Sequence, residues 1–155
     1  METSEKTLLN QVAEIQITYN PVIKASQRPK IDCSKDVYEL LSNNWDANKI
    51  EFVEQFKIIL LNRANRVLGI LDISTGGVSG TVADPKVIFA AALKAAASSI
   101  ILAHNHPSGN LKPSQADIAL TQKIIAACTF LDIAVPEHII LTSESYLSFA
   151  DEGLM

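Results

Sequence analysis

Residues 98–103, SSIILA, constrain the fold most, because they form a short apolar strand of the kind that lies in the middle of a sheet. A predicted helix precedes this strand. Asp84 and Pro85 open the stretch KVIFAAALKAAA, with proline at the first helical position, where its missing N–H is harmless. A second buried helix is predicted over residues 114–130, with one side formed by Ile118, Thr121, Ile124, Ile125 and Cys128. A helix, a strand and a helix in succession indicate an α/β domain.

The remaining predicted elements extend this α/β pattern in both directions. Residues 14–19, EIQITY, alternate polar and apolar side chains with period two and predict a half-buried strand. Ser34 is a candidate N-cap for a helix over KDVYELLSNNW. Four more strands are predicted as two pairs: FKIILLN with RVLGILDI, joined by a turn at residues 62–65, and EHIILT with SYLSF. The order predicts a three-layer or sandwich-like α/β domain with a mixed β-sheet and helices packed on it.

The composition is that of one globular domain, which we assign to residues 1–155. For residues 1–14 we expect a disordered N-terminal segment as one possibility. Of the 155 residues, 48% are hydrophobic and 19% are charged, which excludes disordered and fibrous classes. The formal net charge of −4 argues against broad attraction to nucleic acid, which usually needs a basic face. One basic cluster is interrupted by Asp32 and favours a solvated surface: Lys24, Arg28, Lys30 and Lys35.

The cysteines and the apolar segments predict a cytoplasmic protein without a membrane partner. Cys33 and Cys128 match neither a Cys-x-x-Cys pattern nor a disulfide framework, so a reducing compartment is expected. The N-terminus has no apolar core long enough for a signal peptide. The longest apolar stretch, residues 87–103, carries Lys94 and divides into an alanine-rich helix and a β-branched strand, so no membrane span is expected.

Residues 74–81, STGGVSGT, contain three glycines and raise the question of a phosphate-binding loop. The Lys-Ser/Thr that such a loop needs is missing, so we predict a glycine-rich turn. Candidate catalytic or ligand-binding residues are therefore sought in other parts of the sequence.

The stretch ILAHNHPSGNLKPSQAD, residues 101–117, places two of the three histidines one residue apart behind the apolar strand. In an extended chain, residues i and i+2 project to the same face, so His104 and His106 are expected to send both imidazoles to one side. Imidazole suits zinc and its first-row neighbours. Asp117 is the candidate third ligand, and a catalytic zinc keeps its fourth position for water. Ser114 and Asp117, three residues apart, share a face of the following helix.

Ser114 and Asp117 have a second interpretation that needs no metal. Ser-x-x-Asp before an apolar-periodic run is also a capping box, in which Ser114 caps the helix and Asp117 reaches back to its N–H. The pattern PSQAD alone favours the cap, whereas the aligned histidines favour a ligand set. Spacing therefore leaves both interpretations open.

The motif His104-x-His106, seven intervening residues, Ser114-x-x-Asp117 resembles the JAMM motif of MPN-domain metalloproteases. The longer strings LAHNHPSG and PSQAD look like the RadC-like bacterial branch of that family. EQFKIILLNRANRVLG, STGGVSG, the Pro85 helix and EHIIL stand in the expected order. The resemblance covers roughly residues 15–150 and so nearly the whole chain.

The resemblance implies a cytidine-deaminase-like α/β domain of the MPN/JAB type that acts as a zinc-dependent metallopeptidase. Three side chains would hold the zinc: His104, His106 and Asp117. Ser114 would stabilise the oxyanion of a tetrahedral intermediate. Glu54 is the best match for the general base, and Glu51 is its competitor. The expected reaction is hydrolysis of an amide or isopeptide bond in a protein or peptide substrate.

The sequence departs from the family pattern in two places. No helix-hairpin-helix segment precedes residue 15, and Asp84 and Lys86 stand where relatives often carry a His-Pro-Arg run. Lys86 would be a poorer bidentate partner for a substrate than arginine. His138 matches a histidine common in the family, and we interpret it as structural or as a group behind the ligands.

Two alternative functions remain. One is a DNA-repair-associated accessory protein, which the acidic composition does not support. The other is a scaffold whose metal site is not catalytic. Edge strands near either terminus could pair between chains, so a homo-oligomer is a further expectation.

Overall fold

The computed structural model describes residues 12–13, 16–78 and 80–155. A short 3-10 helix, Ala25–Gln27, precedes the main elements. Along the chain these are α1 (Ser34–Asn44), β1 (Gln55–Leu61), β2 (Val67–Thr75), α2 (Pro85–Lys94), β3 (Ser99–Asn105), α3 (Gln115–Phe130), β4 (Ala134–Leu141) and β5 (Tyr146–Ser148). The predicted order of helix, hairpin, helix, strand, helix and hairpin is confirmed.

The five strands form one mixed sheet in the order β2-β1-β3-β4-β5. β1 pairs antiparallel with both β2 and β3, and β4 pairs antiparallel with β5. β3 and β4 are parallel, and the connection between them contains α3. The apolar strand predicted at residues 98–103 is therefore the central strand of the sheet, and it extends through His104 and Asn105.

Helices cover both faces of this sheet, so the domain has three layers. On one face, Phe56, Ile58 and Leu60 of β1 join a core with α2 and α3 that includes Ile88 and Ile124. On the other face, Ile59 and Leu61 join a core with α1 that includes Val37 and Leu41. Alternate residues of one strand thus feed two cores, because successive side chains point to opposite faces. The expected α/β fold with helices packed on a mixed sheet is confirmed.

The strand predicted over residues 14–19 is wrong for its described part. Residues 16–19 have no regular structure and are exposed, and residues 14 and 15 lie outside the described residues. Tyr19 contacts the edge strand β2 through its side chain, with its hydroxyl donating to the carbonyl of Leu68 at 2.9 Å. Period-two alternation is a local signal of side-chain character, and it does not by itself make residues 16–19 a strand of the sheet.

Two helix boundaries also differ from prediction. Cys33, not Ser34, is the N-cap of α1, because Asp36 accepts the N–H of Cys33 at 3.1 Å and so fixes the start one residue earlier. The helix predicted to reach residue 97 ends at Lys94, and Ala96 takes a left-handed φ of 51°. Pro85 opens that helix behind an Asp84 cap, as predicted.

Among the described residues, no helix combines the length and the apolar character that crossing a bilayer requires. The apolar residues 87–103 belong to α2 and β3, which confirms their predicted division into a helix and a strand.

Candidate metal centre

His104 and His106 are aligned by the pairing of β3 with its neighbours. His104 lies opposite Phe56 of β1 and Ile140 of β4, points to the α3 face, and is 1% exposed. The N–H of His106 donates to the carbonyl of Leu141 at 3.0 Å, which keeps the chain extended beyond the end of β3. The two Nε2 atoms consequently lie 3.1 Å apart, so the predicted common face for the imidazoles is observed.

The loop after His106 fixes the orientation of its ring. Gly109 adopts a φ of 81°, a left-handed conformation that favours glycine, and its N–H donates to the carbonyl of His106 at 3.1 Å. The turn brings the carbonyl of Asn110 to 2.6 Å from His106 Nδ1. Because a carbonyl oxygen only accepts, Nδ1 carries the proton and Nε2 of the neutral ring keeps a free lone pair.

Asp117 occupies the first turn of α3, where it does two things at once. Its Oδ2 accepts the N–H of Ser114 at 2.7 Å, and Ser114 Oγ accepts the N–H of Asp117 at 3.1 Å, which is the predicted capping box. The same carboxylate places Oδ1 3.4 Å from His104 Nε2 and Oδ2 3.7 Å from His106 Nε2. The cap and the ligand arrangement are therefore compatible, and the cap aims the carboxylate at the histidines.

The three side chains fit a metal ion in spacing and in chemistry. Within the described part of the chain, His104, His106 and Asp117 form a group whose ligand atoms lie within 4.8 Å of one another. Metal–ligand bonds of about 2.0–2.1 Å put tetrahedral ligand atoms about 3.3 Å apart. The three observed separations of 3.1, 3.4 and 3.7 Å scatter around that length. Two imidazole nitrogens and one carboxylate oxygen suit Zn²⁺ and its first-row neighbours.

The pKa shifts of His106 and Asp117 also indicate that the centre favours a positive charge. Because a protonated His106 ring can donate to the Asp117 carboxylate, the pKa of His106 is raised above its usual value against the opposing effect of burial, and Glu54 adds to the rise. Burial alone raises the pKa of the Asp117 carboxyl, but the two imidazoles outweigh burial and lower that pKa well below its ordinary value. The centre therefore stabilises a carboxylate and attracts a cation, whether a proton or a metal ion.

His138 lies behind His104 and does not meet the other ligand atoms. Its Nε2 is 2.8 Å from His104 Nδ1, and its ring stacks on Phe149 with centroids 4.3 Å apart. Complete burial lowers the pKa of His138 well below its usual value, so the ring is neutral. The structure thus places His138 in the position expected of a group behind the ligands.

Glu54 and Glu51 both border the centre. Glu54 directly precedes β1 and is partly buried, and the glycine-rich turn holds its main chain through N–H to Gly77 O at 3.1 Å and Gly76 N–H to Glu54 O at 2.8 Å. Its carboxylate is close enough to His106 to help raise the pKa of that ring, after the larger contribution of Asp117. Glu51 is exposed, and its carboxylate accepts the hydroxyl of Ser143 at 2.5 Å. This placement favours Glu54 as the free carboxylate.

The turn that holds Glu54 explains one of its glycines. A Cβ on Gly76 would lie 2.0 Å from the carbonyl oxygen of Gly80, which no side chain tolerates. The described residues of this stretch that follow β2, 76–78, 80 and 81, thus form a close-packed turn beside Glu54, in agreement with the predicted glycine-rich turn.

Sequence reasoning missed Asn105 and Asn110 as residues that shape the site. The Asn105 side chain ties the segment that carries Glu54 to β3, and the Asn110 carbonyl orients His106. An asparagine at the end of an otherwise apolar strand was a signal for the first. No signal marks the second, because a main-chain carbonyl contributes regardless of its side chain.

A family model described as RadC-like JAB domain matches residues 31–154. The chain belongs to this family. The matched residues contain the central strand β3, the helices on both faces of the sheet and the group of His104, His106 and Asp117.

The chain is also similar to proteins named UPF0758 protein. One from Flavobacterium johnsoniae is 44% identical over 101 residues, covering 65% of this chain and 44% of the relative. One from Porphyromonas gingivalis is 45% identical over 103 residues, covering 66% of this chain and 45% of the relative. UPF0758 protein YfjY from Escherichia coli is 39% identical over 102 residues, covering 66% and 64%. The match therefore spans about half the length of the first two relatives and less than two thirds of the third.

Proposed function

We propose that this RadC-like JAB domain is a zinc-dependent metallopeptidase that hydrolyses an amide or isopeptide bond. The observation that carries the proposal is the convergence of His104 Nε2, His106 Nε2 and the Asp117 carboxylate at separations of 3.1, 3.4 and 3.7 Å, with Glu54 beside them. The three side chains would hold zinc and leave its fourth position to solvent or substrate. Membership of a JAB family supports the same assignment.

The division of work follows from the position of each group. A zinc ion held by these ligands would supply Lewis acidity, which would lower the pKa of water to about 7 and polarise a carbonyl group. Glu54 takes the proton of the attacking water and later delivers it to the leaving amine, as a general base and then a general acid. Its neighbour Gln55 anchors it by donating a main-chain N–H to Asn105 Oδ1 at 2.7 Å.

Ser114 has a hydroxyl proton that its role as helix cap leaves free. Its Oγ accepts the N–H of Asp117, which uses a lone pair and not the hydroxyl hydrogen. Ser114 is exposed at the edge of the centre. The hydroxyl can therefore donate to the oxygen that becomes negative when a substrate carbonyl is attacked.

A cavity of about 230 Å³ adjoins His106, and we assign the bound part of a substrate to it. Its wall consists of the His106–Gly109 loop, Glu51 and the segment Thr142, Ser143 and Glu144. The protein or peptide that would occupy it, a homo-oligomeric state and a cytoplasmic location stay predictions.

The test combines metal analysis with hydrolysis. The protein is purified without chelator or nickel resin, zinc per chain is counted by elemental mass spectrometry, and cleavage of a peptide library is followed by mass spectrometry. We expect about one zinc per chain. Glu54→Gln should keep the zinc and lose hydrolysis, while Glu51→Gln, the matched control, should keep both.

Three outcomes would overturn parts of this proposal. Absence of zinc after reconstitution removes the metallopeptidase assignment. Zinc without hydrolysis of any peptide favours the non-catalytic scaffold. Loss of hydrolysis in Glu51→Gln, with retention in Glu54→Gln, moves the general base to Glu51.

A further inference from the structure

Thr121 is a buried polar residue for which the mechanism above has no use. It lies one helical turn after Asp117 on α3 and has no exposed surface. Its Oγ1 is 2.7 Å from the main-chain carbonyl oxygen of Asp117 and 2.6 Å from His138 Nδ1. With the contact of 2.8 Å between His138 Nε2 and His104 Nδ1, these atoms form a continuous chain from Asp117 to His104.

Donor and acceptor capacity fixes the direction of every hydrogen bond in this chain. A carbonyl oxygen only accepts, so the single hydroxyl proton of Thr121 points to Asp117 O. Toward His138 the hydroxyl is therefore an acceptor, and His138 Nδ1 carries the proton. His138 is fully buried, and among the described residues its two ring nitrogens contact a hydroxyl and an imidazole, while the Asp117 carboxylate acts only from beyond His104. Burial of this kind keeps the ring neutral and leaves Nε2 bare. His104 Nδ1 must then donate to it.

We infer that Thr121 and His138 are positioning residues that hold His104 in the Nδ1–H tautomer and so leave its Nε2 lone pair facing His106 and Asp117. The inference rests on the proposed function, because it concerns the ligand that would hold the zinc. We call the hydrogen-bonded chain from Asp117 O through Thr121 and His138 to His104 the relay. Asp117 lies at both of its ends, because its main-chain carbonyl accepts from Thr121 and its carboxylate lies 3.4 Å from His104 Nε2. His106 is oriented differently, by the Asn110 carbonyl in the surface loop.

Thr121→Val removes the acceptor on which the direction of the relay depends. The Nδ1–H of His138 would lose its partner, so His138 is expected to move its proton to Nε2 and donate it to His104 Nδ1. His104 would then carry its own proton on Nε2, where a metal ion would bind. We expect zinc affinity to fall about 10- to 100-fold, the usual effect of losing a partner behind a ligand.

Two variants control for the substitution itself. Thr121→Ser keeps a hydroxyl at the same place and should behave like the parent. Thr129→Val makes the same change on the same helix, where Thr129 Oγ1 donates to the carbonyl of Ile125 at 2.9 Å without contacting a histidine. It should change neither the tautomers nor the zinc affinity.

The decisive experiment reads the tautomers directly in the metal-free protein. Two-bond ¹H–¹⁵N correlation spectra are recorded on the ¹⁵N-labelled full chain at a pH where the rings are neutral, and the chain has three histidines to assign. Zinc affinity is measured beside them by competition with a chelator. The parent, Thr121→Ser and Thr129→Val should show Nδ1–H at His104, and Thr121→Val should show Nε2–H together with weaker zinc binding.

The relay is overturned if the parent shows Nε2–H at His104, a result that stands even if Thr121→Val does not fold. It is also overturned if Thr121→Val retains both the parent tautomer and the parent affinity. A parent that binds no zinc, but shows the expected tautomers, contradicts the proposed function and leaves the relay supported.

Discussion

The two neighbouring strands β3 and β4 each carry two consecutive buried polar residues, one on each face of the sheet. On β3 these are His104 and Asn105, and on β4 they are Glu137 and His138. His104 and His138 face α3 and contact each other, whereas Asn105 and Glu137 face the side covered by α1. All four residues are buried, with at most 6% of their surface exposed, so burial does not distinguish the two faces.

The difference lies in what is left for a ligand. Asn105 donates to the carbonyls of Ile50 and Val53 at 2.8 and 2.9 Å and accepts the N–H of Gln55 at 2.7 Å. Glu137 accepts the hydroxyl of Ser148 at 2.6 Å and two main-chain N–H groups. On the α3 face, two bare imidazole nitrogens and a carboxylate point at one another without a donor between them. Buried polar residues therefore indicate a ligand site where several acceptor atoms converge without donors. They indicate a structural role where each acceptor already has a donor.

The largest effect is expected for His104→Ala, which removes a ligand on the α3 face. Zinc affinity should fall by at least about 100-fold, since even groups behind a ligand typically account for 10- to 100-fold. Chelator competition and zinc per chain measure this change. Asn105→Ala is the matched variant on the opposite face, and it should retain zinc under conditions where it is folded. Equal loss of zinc in both variants would contradict the distinction between the faces.

The next largest effect is on stability and belongs to Asn105→Ala. Removing the amide leaves the Gln55 N–H and the carbonyls of Ile50 and Val53 without their partners in a buried place. We expect the free energy of unfolding to fall by about 2–4 kcal/mol, because each unpaired buried group costs about 1–3 kcal/mol. Urea unfolding of the metal-free proteins measures it. An unchanged midpoint would show that water satisfies these groups and that Asn105 is not a structural anchor.

The difference between the faces also marks how far the sequence predicts this site. The apolar strand ending in His-x-His and the Ser-x-x-Asp helix start are local patterns, and they make His104, His106 and Asp117 candidates for one group, which the structure brings together. The period of a strand also requires the neighbours His104 and Asn105 to lie on opposite faces, although it does not indicate a role for Asn105. The side chain of Asn105, however, is paired with a segment that includes Gln55, 50 residues earlier in the sequence. A contact between such distant residues produces no periodic pattern in the sequence.

The failed strand at residues 16–19 has the same cause. Alternation describes the side chains of one segment, whereas a strand also needs a partner with free main-chain groups, which only the assembled sheet provides. The capping question at Ser114 could not be settled by spacing either, because one carboxylate serves both the cap and the centre.

A smaller effect separates those two uses of the Ser114–Asp117 pair. Ser114→Ala removes the acceptor for the Asp117 N–H and should lower the free energy of unfolding by about 1 kcal/mol, with zinc retained. Asp117→Asn keeps a side-chain oxygen for the Ser114 N–H and should lose zinc with the helix cap preserved. Thermal unfolding and zinc content, measured on both variants, check the pair. If Ser114→Ala loses zinc as completely as Asp117→Asn, the cap is needed to aim the carboxylate and the two uses are inseparable.

The smallest effect is a pH dependence on the α1 face, at Glu137. Burial raises the pKa of its carboxyl above the ordinary 4.5, against the lowering effect of the hydrogen bonds from Ser148 and Ala150. The folded protein thus keeps a proton at a pH where the unfolded chain has lost it. This contribution to stability is complete below pH 4.5 and is lost as the pH rises through the folded pKa.

Glu137→Gln should remove that loss, because an amide does not titrate and can still accept the His138 N–H and donate to Ser148 Oγ. The free energy of unfolding of the parent relative to the variant should therefore decrease as the pH is raised from below 4.5 toward neutral, as measured by urea unfolding at several pH values. Zinc per chain should be the same in both proteins. A difference that grows with pH in favour of the parent would mean that the carboxylate is stabilised in place by positive charge. Glu137 would then be a cation ligand, and the α1 face would no longer be purely structural.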